Sequence, residues 1–163
     1  METKIKPMQN ADQTAAVSAL EDHLGFWLRF VSNHVSGEFA RQVEQHGVSV
    51  SDWVALREMF RHERSGAADL MQALGMTKGA VSKIITRLQE KGLAARAPGA
   101  ADKRAQSLVL TPAGRALVPV LADIADRNDA ACFGSLSQAQ RLALVRMMQQ
   151  IVQDRQLRQV PTE

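Results

Sequence analysis

The sequence contains no tyrosine and only one cysteine, Cys132, among 163 residues. A single cysteine excludes an internal disulfide framework, so we expect a reducing, cytoplasmic setting. No apolar run approaches the ~18 residues of a membrane span, and the first residues show no signal-peptide pattern, so no membrane partner is expected. Nucleophile-elbow, Walker-loop and zinc-helix motifs are also missing. We therefore expect no enzyme activity, no catalytic residue and no cofactor.

The histidines and the cysteine form no metal-ligand pattern. His23, His34, His46 and His62 lack the tight spacing of a zinc site, and no suitable cysteine or acidic partner accompanies them. We interpret them as surface or capping residues and expect no metal. Cys132 falls at the end of a predicted helix. It is interpreted as a buried, inert side chain, with a redox-active thiol as the alternative.

Positive charge is concentrated in one short segment. The net charge of the whole chain is only +3, but residues 77–104 carry seven basic and two acidic residues, which gives +5. Residues 1–76 are net acidic. Alone, such a basic run favours an ordinary solvated face, whereas beside a fitting motif it indicates a nucleic-acid surface.

Apolar periodicity and capping residues predict helices through most of the chain. The first is long, and its broad apolar stripe needs another helix to cover it, often one from a second subunit. Serine and threonine are suited to N-caps, and glycine to left-handed helix ends. The predicted helices cover 14–46, ended by Gly47; a segment capped by Ser51 and ending at 62–64; 67–74, capped by Ser65 and ended by Gly75; 78–91, capped by Thr77 and ended by Gly92; a segment from Thr111 and Pro112 to 132 or 133; and a segment capped by Ser137 that ends near Leu157.

Residues 93–110 show a different pattern. Two short extended segments, 93–97 and 107–110, flank a turn-rich stretch, which predicts a β-hairpin with a long loop. The expected fold is mainly α with a small β-hairpin wing. In this fold, residues 48–111 form a winged helix-turn-helix DNA-binding domain. Residues 14–47 and 112–157 form a helical dimerisation domain.

The helices predicted over 67–74 and 78–91 are joined by a tight turn at Gly75 and Met76, which is the plan of a helix-turn-helix motif. The second helix of such a motif enters the DNA major groove and presents its exposed side chains to base edges and phosphates. The predicted DNA-binding residues here are Thr77, Lys78, Gly79, Ser82, Lys83, Thr86 and Arg87. For Arg87, an ion pair with a neighbouring acid is the alternative role.

The loop of the predicted hairpin supplies a second DNA contact. Lys103 and Arg104 lie at its end, and an arginine there can enter the minor groove, whose negative potential attracts it. Asp102 is predicted to orient this wing. Its own charge is repelled by DNA, so it is expected to hold Arg104 through a charge-assisted hydrogen bond.

Two segments resemble the MarR family of bacterial regulators. Residues 76–93 (MTKGAVSKIITRLQEKGL) look like that family's recognition helix. Residues 102–114 (DKRAQSLVLTPAG) are similar to its wing signature, an Asp-x-Arg followed by a strand and a Leu-Thr-x-x-Gly helix start. The matching helix order extends the resemblance over residues 17–157.

The resemblance implies a homodimer whose first, fifth and sixth helices are entwined. It implies a pseudo-palindromic operator, usually repression, and in many members release of DNA when a small phenolic or anionic ligand binds between the domains. By position, it implies that Ser82, Lys83 and Thr86 face bases and phosphates. It also implies that Arg104 is the minor-groove residue.

The expected partners are double-stranded DNA, a second copy of the chain and a small aromatic or anionic effector. The candidate effector pocket comprises Trp27, Phe30, His34 and Trp53, with an ordinary core role as the alternative. Arg57 or Arg61 could engage an anionic ligand. A ligand-responsive repressor is the favoured hypothesis. Its alternatives are a constitutive regulator or activator without an effector, and a winged-helix protein-interaction module.

Overall fold

The computed structural model describes residues 17–97 and 107–157. In these residues the chain forms six α-helices and a small antiparallel sheet, preceded by a short 3-10 turn at Leu20–Asp22. The predicted fold, mainly α with a β-hairpin, is confirmed. The elements are α1 (Leu24–Glu44), α2 (Val50–Phe60), β1 (Ser65–Gly66), α3 (Ala67–Leu74), α4 (Lys78–Glu90), β2 (Ala94–Arg96), β3 (Ser107–Leu110), α5 (Pro112–Phe133) and α6 (Gln138–Asp154).

The first helix is shorter than predicted. The prediction of helix over residues 17–23 is wrong, because His23 has an extended backbone and α1 begins at Leu24. A side-chain hydrogen bond holds the preceding turn, since Trp27 Nε1 donates to the carbonyl oxygen of Glu21 at 2.9 Å.

Two predicted N-caps are displaced. The cap of α2 is Ser49 rather than Ser51, and its Oγ accepts from the N–H of Asp52 at 3.1 Å. The carboxylate of Asp52 accepts in return from the N–H of Ser49, also at 3.1 Å, which completes a reciprocal capping box. The cap of α3 is Gly66 rather than Ser65, and the N–H of Gly66 donates to the carboxylate of Asp69 at 2.8 Å.

Most other helix boundaries agree with the sequence prediction to within about two residues, but α2 ends at Phe60 rather than at 62–64, and α6 ends at Asp154 rather than near Leu157. Gly47, Gly75 and Gly92 all have left-handed backbones, with φ of 73°, 61° and 67°. Helices α4, α5 and α6 begin at the predicted caps, where a side-chain oxygen accepts from a backbone N–H in the first turn. These caps are Thr77, Thr111 and Ser137.

The sheet contains one strand that the sequence did not predict. Its order is β1-β3-β2, and β3 pairs antiparallel with both neighbours. Ser65 lies opposite Leu108, and Ala95 lies opposite Val109. β1 has only two residues, too few to show an alternating pattern. It joins the N-terminus of α3 to the hairpin, so the hairpin is attached to the helix-turn-helix.

The core lies where α2, α3, α4, α5 and the sheet meet. Leu56 of α2, Leu88 of α4 and Leu121 of α5 are fully buried within it. The first half of α1 and all of α6 lie outside this core, and no residue of α6 is buried. Helix α2 contacts α1, α3, α4 and α5, so it connects the helix-turn-helix to the long helices.

Candidate nucleic-acid interface

Helix α4 separates cleanly into a buried and an exposed side. Val81, Ile84 and Leu88 face the core, which fixes the rotation of the helix about its axis. The opposite side carries small, hydroxyl and cationic residues, all exposed: Lys78, Gly79, Ser82, Lys83 and Thr86. The structure therefore brings together on one surface five of the seven residues predicted on this helix.

Thr77 is also exposed and occupies the N-cap of α4. Its Oγ1 accepts from the N–H of Ala80 at 3.4 Å, so one part of its role is to begin the helix. Lys78 and Lys83 form no ion pair with any described residue. Their charges are therefore available to an anion outside the chain.

Arg87 lies in a different environment. Its guanidinium binds the buried carboxylate of Asp52, with Nε 2.8 Å and Nη2 2.7 Å from Oδ1. Nη2 also donates to the hydroxyl of Ser51 at 3.1 Å. Arg87 thus makes the ion pair that was the alternative to DNA contact. The sequence alone could not decide between the two roles, because Asp52 is 35 residues away.

Lys91 shares the same carboxylate, and its Nζ donates to Asp52 Oδ2 at 2.8 Å. Burial raises the pKa of Asp52, but the hydrogen bonds from Arg87, Lys91 and the N–H of Ser49 outweigh it. Together with the charge of Lys91, they lower the pKa below its ordinary value. Asp52 is therefore ionised. Its ion pairs with Arg87 and Lys91 join α2 to the C-terminal end of α4.

Arg96 is a basic residue of this surface that the sequence analysis did not assign. It is exposed on β2 and lines a cavity of about 210 Å³ between α3, α4 and the hairpin. Lys78, Ser82 and Thr86 line the same cavity. Arg96 was counted among the basic residues of 77–104. The side of the hairpin on which it lies depends on the strand register, which the alanine-rich sequence around it did not reveal.

The predicted wing residues Asp102, Lys103 and Arg104 lie outside the described residues. The base of the wing is described, and there the N–H of Ala97 donates to the carbonyl of Ser107 at 2.8 Å. The roles of the three residues stay predictions.

The structure does not bring the four predicted pocket residues together. Trp53 packs edge-to-face on Phe39 of α1, with ring centroids 6.3 Å apart. Trp27 precedes Phe39 by more than three helical turns, a separation of about 18 Å along the helix. Trp27 instead contacts Phe26 at 5.2 Å, while Phe30 and His34 are exposed on α1.

Trp53 lines a different cavity, between α2 and α3, with a volume of about 490 Å³. Arg57 and Arg61 lie on its wall, together with Glu58. Arg61 and Glu58 form an ion pair at 3.5 Å. The cavity thus combines an indole ring with two guanidinium groups, one of which is already partly neutralised.

Two other findings concern the described residues alone. No group of three or more histidine, cysteine, aspartate or glutamate side chains within 17–97 and 107–157 is placed to hold a metal ion. In the same ranges, no helix has the length and apolar character needed to cross a membrane. Cys132 is half-buried near the end of α5.

Residues 46–105, which contain the helix-turn-helix and strand β2, match the MarR family model. Over these residues the chain is similar to the MarR family. Similar proteins include the HTH-type transcriptional repressor NicR of Pseudomonas putida, 23% identical over 131 residues, which cover 80% of this chain and 83% of NicR. The repressor Rv2887 of Mycobacterium tuberculosis is 24% identical over 131 residues, covering 80% of this chain and 94% of Rv2887.

Solved MarR-family structures have the same fold. BpsR of Bordetella bronchiseptica, whose DNA binding is regulated by 6-hydroxynicotinic acid, superposes with a TM-score of 0.71 and 24% identity. The match covers 83% of this chain and 96% of BpsR. Rv2887 in complex with DNA gives a TM-score of 0.64 at 22% identity, over 79% of this chain and 97% of Rv2887. The complex of Rv2887 with salicylic acid superposes with a TM-score of 0.61 at 23% identity, over 79% of this chain and 96% of Rv2887.

Proposed function

We propose that this chain is a homodimeric, sequence-specific regulator that binds double-stranded DNA and acts as a ligand-responsive repressor. The observation that carries the proposal is the exposed face of α4, where Lys78, Ser82, Lys83 and Thr86 lie on one surface of a helix-turn-helix. An α-helix of this kind fits the major groove, and its hydroxyls and cations suit base edges and phosphates. Arg96 adds a further cation beside this face.

The homodimer is supported by apolar surface that one chain leaves exposed. On α1, Leu24 is 68% and Trp27 49% exposed, and on α6 Val145 and Val152 are 44% and 45% exposed. A helix without buried residues gains too little from its own hydrogen bonds to be stable in water. A second copy covers α1 and α6 most simply, because the dimer then presents two copies of α4 to the DNA.

Selection of genomic fragments bound by the full chain tests the DNA-binding proposal. We expect enrichment of sites with two-fold symmetry and half-sites about 10 bp apart, protected in a footprint. Affinity should fall steeply with salt, because phosphate contacts release counterions. If no fragment is enriched and no duplex is bound at low salt, the chain is a protein-interaction module instead.

The effector is proposed to be a small aromatic acid bound in the α2–α3 cavity. Trp53 can stack on an aromatic ring, and Arg57 and Arg61 can bind a carboxylate. Two relatives support this chemical class, since BpsR responds to 6-hydroxynicotinic acid and Rv2887 was solved with salicylic acid. Binding here would act on α2, which contacts α4.

DNA release measured with salicylate, benzoate and 6-hydroxynicotinate tests the effector proposal. Arg57→Gln and Arg61→Gln should each raise the concentration for half-release by about tenfold, as expected for one lost charge-assisted bond. Arg41→Gln is the matched control, because Arg41 pairs with Glu38 on α1 and does not line the cavity. If both variants release DNA at the same acid concentration as the wild type, the effector binds at another site. No release by any acid would favour a constitutive regulator.

A further inference from the structure

The carboxylate of Asp52 is completely buried at the point where α2 meets α4. Both of its oxygens are occupied. Oδ1 accepts two bonds from Arg87, and Oδ2 accepts from Lys91 and from the N–H of Ser49. A buried charge is tolerated only when it is fully paired. The need to pair Asp52 therefore holds Arg87, Lys91 and the N–H of Ser49 in fixed positions around it.

Arg87 lies on α4, and Lys91, four residues later, is the C-cap of that helix; both bind the same carboxylate. Residues four apart differ by about 40° around a helix, so Arg87 lies about 40° beyond Lys83, at the border of the exposed face. The two cations therefore attach one edge of α4 to α2. The apolar side of α4 already sets its rotation, and two bonds at this spacing reinforce that rotation and also restrain the helix along its axis.

We propose that Asp52 is a positioning residue for DNA recognition, which sets the register of α4 in the groove through Arg87 and Lys91. The inference rests on the proposed DNA-binding function. It assigns Arg87 and Lys91 to the protein rather than to phosphate, although both retain about a third of their side-chain surface. Specificity depends on this attachment because base readout requires side chains within hydrogen-bond reach of particular base edges, whereas phosphate attraction tolerates small rotations.

Asp52 also occupies a place where α1 can influence α4. The next residue, Trp53, packs on Phe39 of α1, while Asp52 itself holds α4. One turn of α2 thus contacts both a helix of the proposed dimer and the proposed recognition helix. A shift of α1 relative to α2 would therefore be transmitted to α4 through the adjacent residues Trp53 and Asp52.

The test compares Asp52→Asn with Asp123→Asn, measuring affinity for a selected operator and for a scrambled duplex of the same length. Asp123 is an exposed partner of Arg127 on α5, so the control makes the same charge change away from α4. We expect Asp52→Asn to reduce the operator-to-scrambled affinity ratio at least tenfold, while affinity for the scrambled duplex is equal or higher. Asp123→Asn should leave the ratio unchanged.

Arg87→Gln and Lys91→Gln keep the proposal testable if Asp52→Asn does not fold, because each leaves Asp52 one cation. Each should lower the affinity ratio while the salt slope for the scrambled duplex stays at the wild-type value. A slope reduced by about 0.9 per variant would show that these cations bind phosphate and would overturn the proposal. An unchanged ratio in a folded Asp52→Asn protein would also overturn it. Failure of the wild type to bind any duplex would instead refute the DNA-binding function.

Discussion

The carbonyl group of Leu93, just after α4, lies directly against the α-carbon of Gly114 in the first turn of α5. A β-carbon at position 114 would be 2.9 Å from the Leu93 carbonyl carbon and would overlap its oxygen. The N–H of Thr111 donates to the same carbonyl at 3.1 Å, and Thr111 Oγ1 donates to that of Gly92 at 2.6 Å. The Leu-Thr-x-x-Gly segment therefore fastens the end of α4 to the start of α5.

Gly114→Ala should destabilise the fold. The added methyl group meets backbone atoms, which cannot rotate away, so we expect a loss of about 1–3 kcal/mol in the free energy of unfolding. Urea denaturation measures this change. Gly37→Ala is the matched control, because a β-carbon there meets no atom within 4 Å. In α1 that change should be neutral or stabilising by up to about 1 kcal/mol. Equal stability of the two variants would contradict the proposed close contact.

Local sequence signals predicted the helix-turn-helix well. The range 67–74 and the caps at Thr77 and Gly92 depend on residues within one turn of the boundary. The sequence could not show that Asp52 binds Arg87, because that contact depends on how α2 packs on α4. Strand β1 was missed for a related reason, since its two residues become a strand only by pairing with β3.

Gly79→Ala should separate folding from DNA binding. A β-carbon at Gly79 meets no protein atom within 4 Å, so the exposed helix should be unchanged or slightly more stable in urea. The methyl group would project from the face proposed to approach DNA. We therefore expect operator affinity to fall by several-fold, as measured by fluorescence anisotropy. Wild-type affinity in this variant would indicate that the first turn of α4 does not approach DNA closely.

Lys83→Ala should weaken binding to every DNA sequence by a similar factor. Lys83 is exposed and forms no ion pair with described residues, so its charge is available to a phosphate. Losing one phosphate contact should reduce the slope of log K against log salt by about 0.9. Titrations of operator and scrambled duplex at several salt concentrations measure it. An unchanged slope would mean that Lys83 faces away from the backbone.

Acid should remove the stabilising contribution of Asp52. Its pKa is lowered in the folded chain, so the contribution is fully present above the ordinary aspartate pKa of about 3.9 and is lost as the pH falls below it. Urea denaturation of wild type and Asp52→Asn at several pH values tests this. We expect the stability difference between them to be constant from about pH 7 to pH 5 and to shrink on further acidification. A difference that grows on acidification would contradict the lowered pKa.

Val152→Glu should weaken the proposed homodimer. Val152 is 45% exposed on α6, a helix without buried residues, and a second copy would bury it. Gln150→Glu is the control, because it introduces the same charge two residues earlier, about 160° away around the helix. Sedimentation over a range of concentrations should show an increased dimer dissociation constant for Val152→Glu only.

The weaker dimer should also lose affinity for the two-half-site operator more than for an isolated half-site, because joining two copies of α4 makes the second contact intramolecular. If Val152→Glu dimerises like the wild type, α6 is covered by something other than a second copy of this chain.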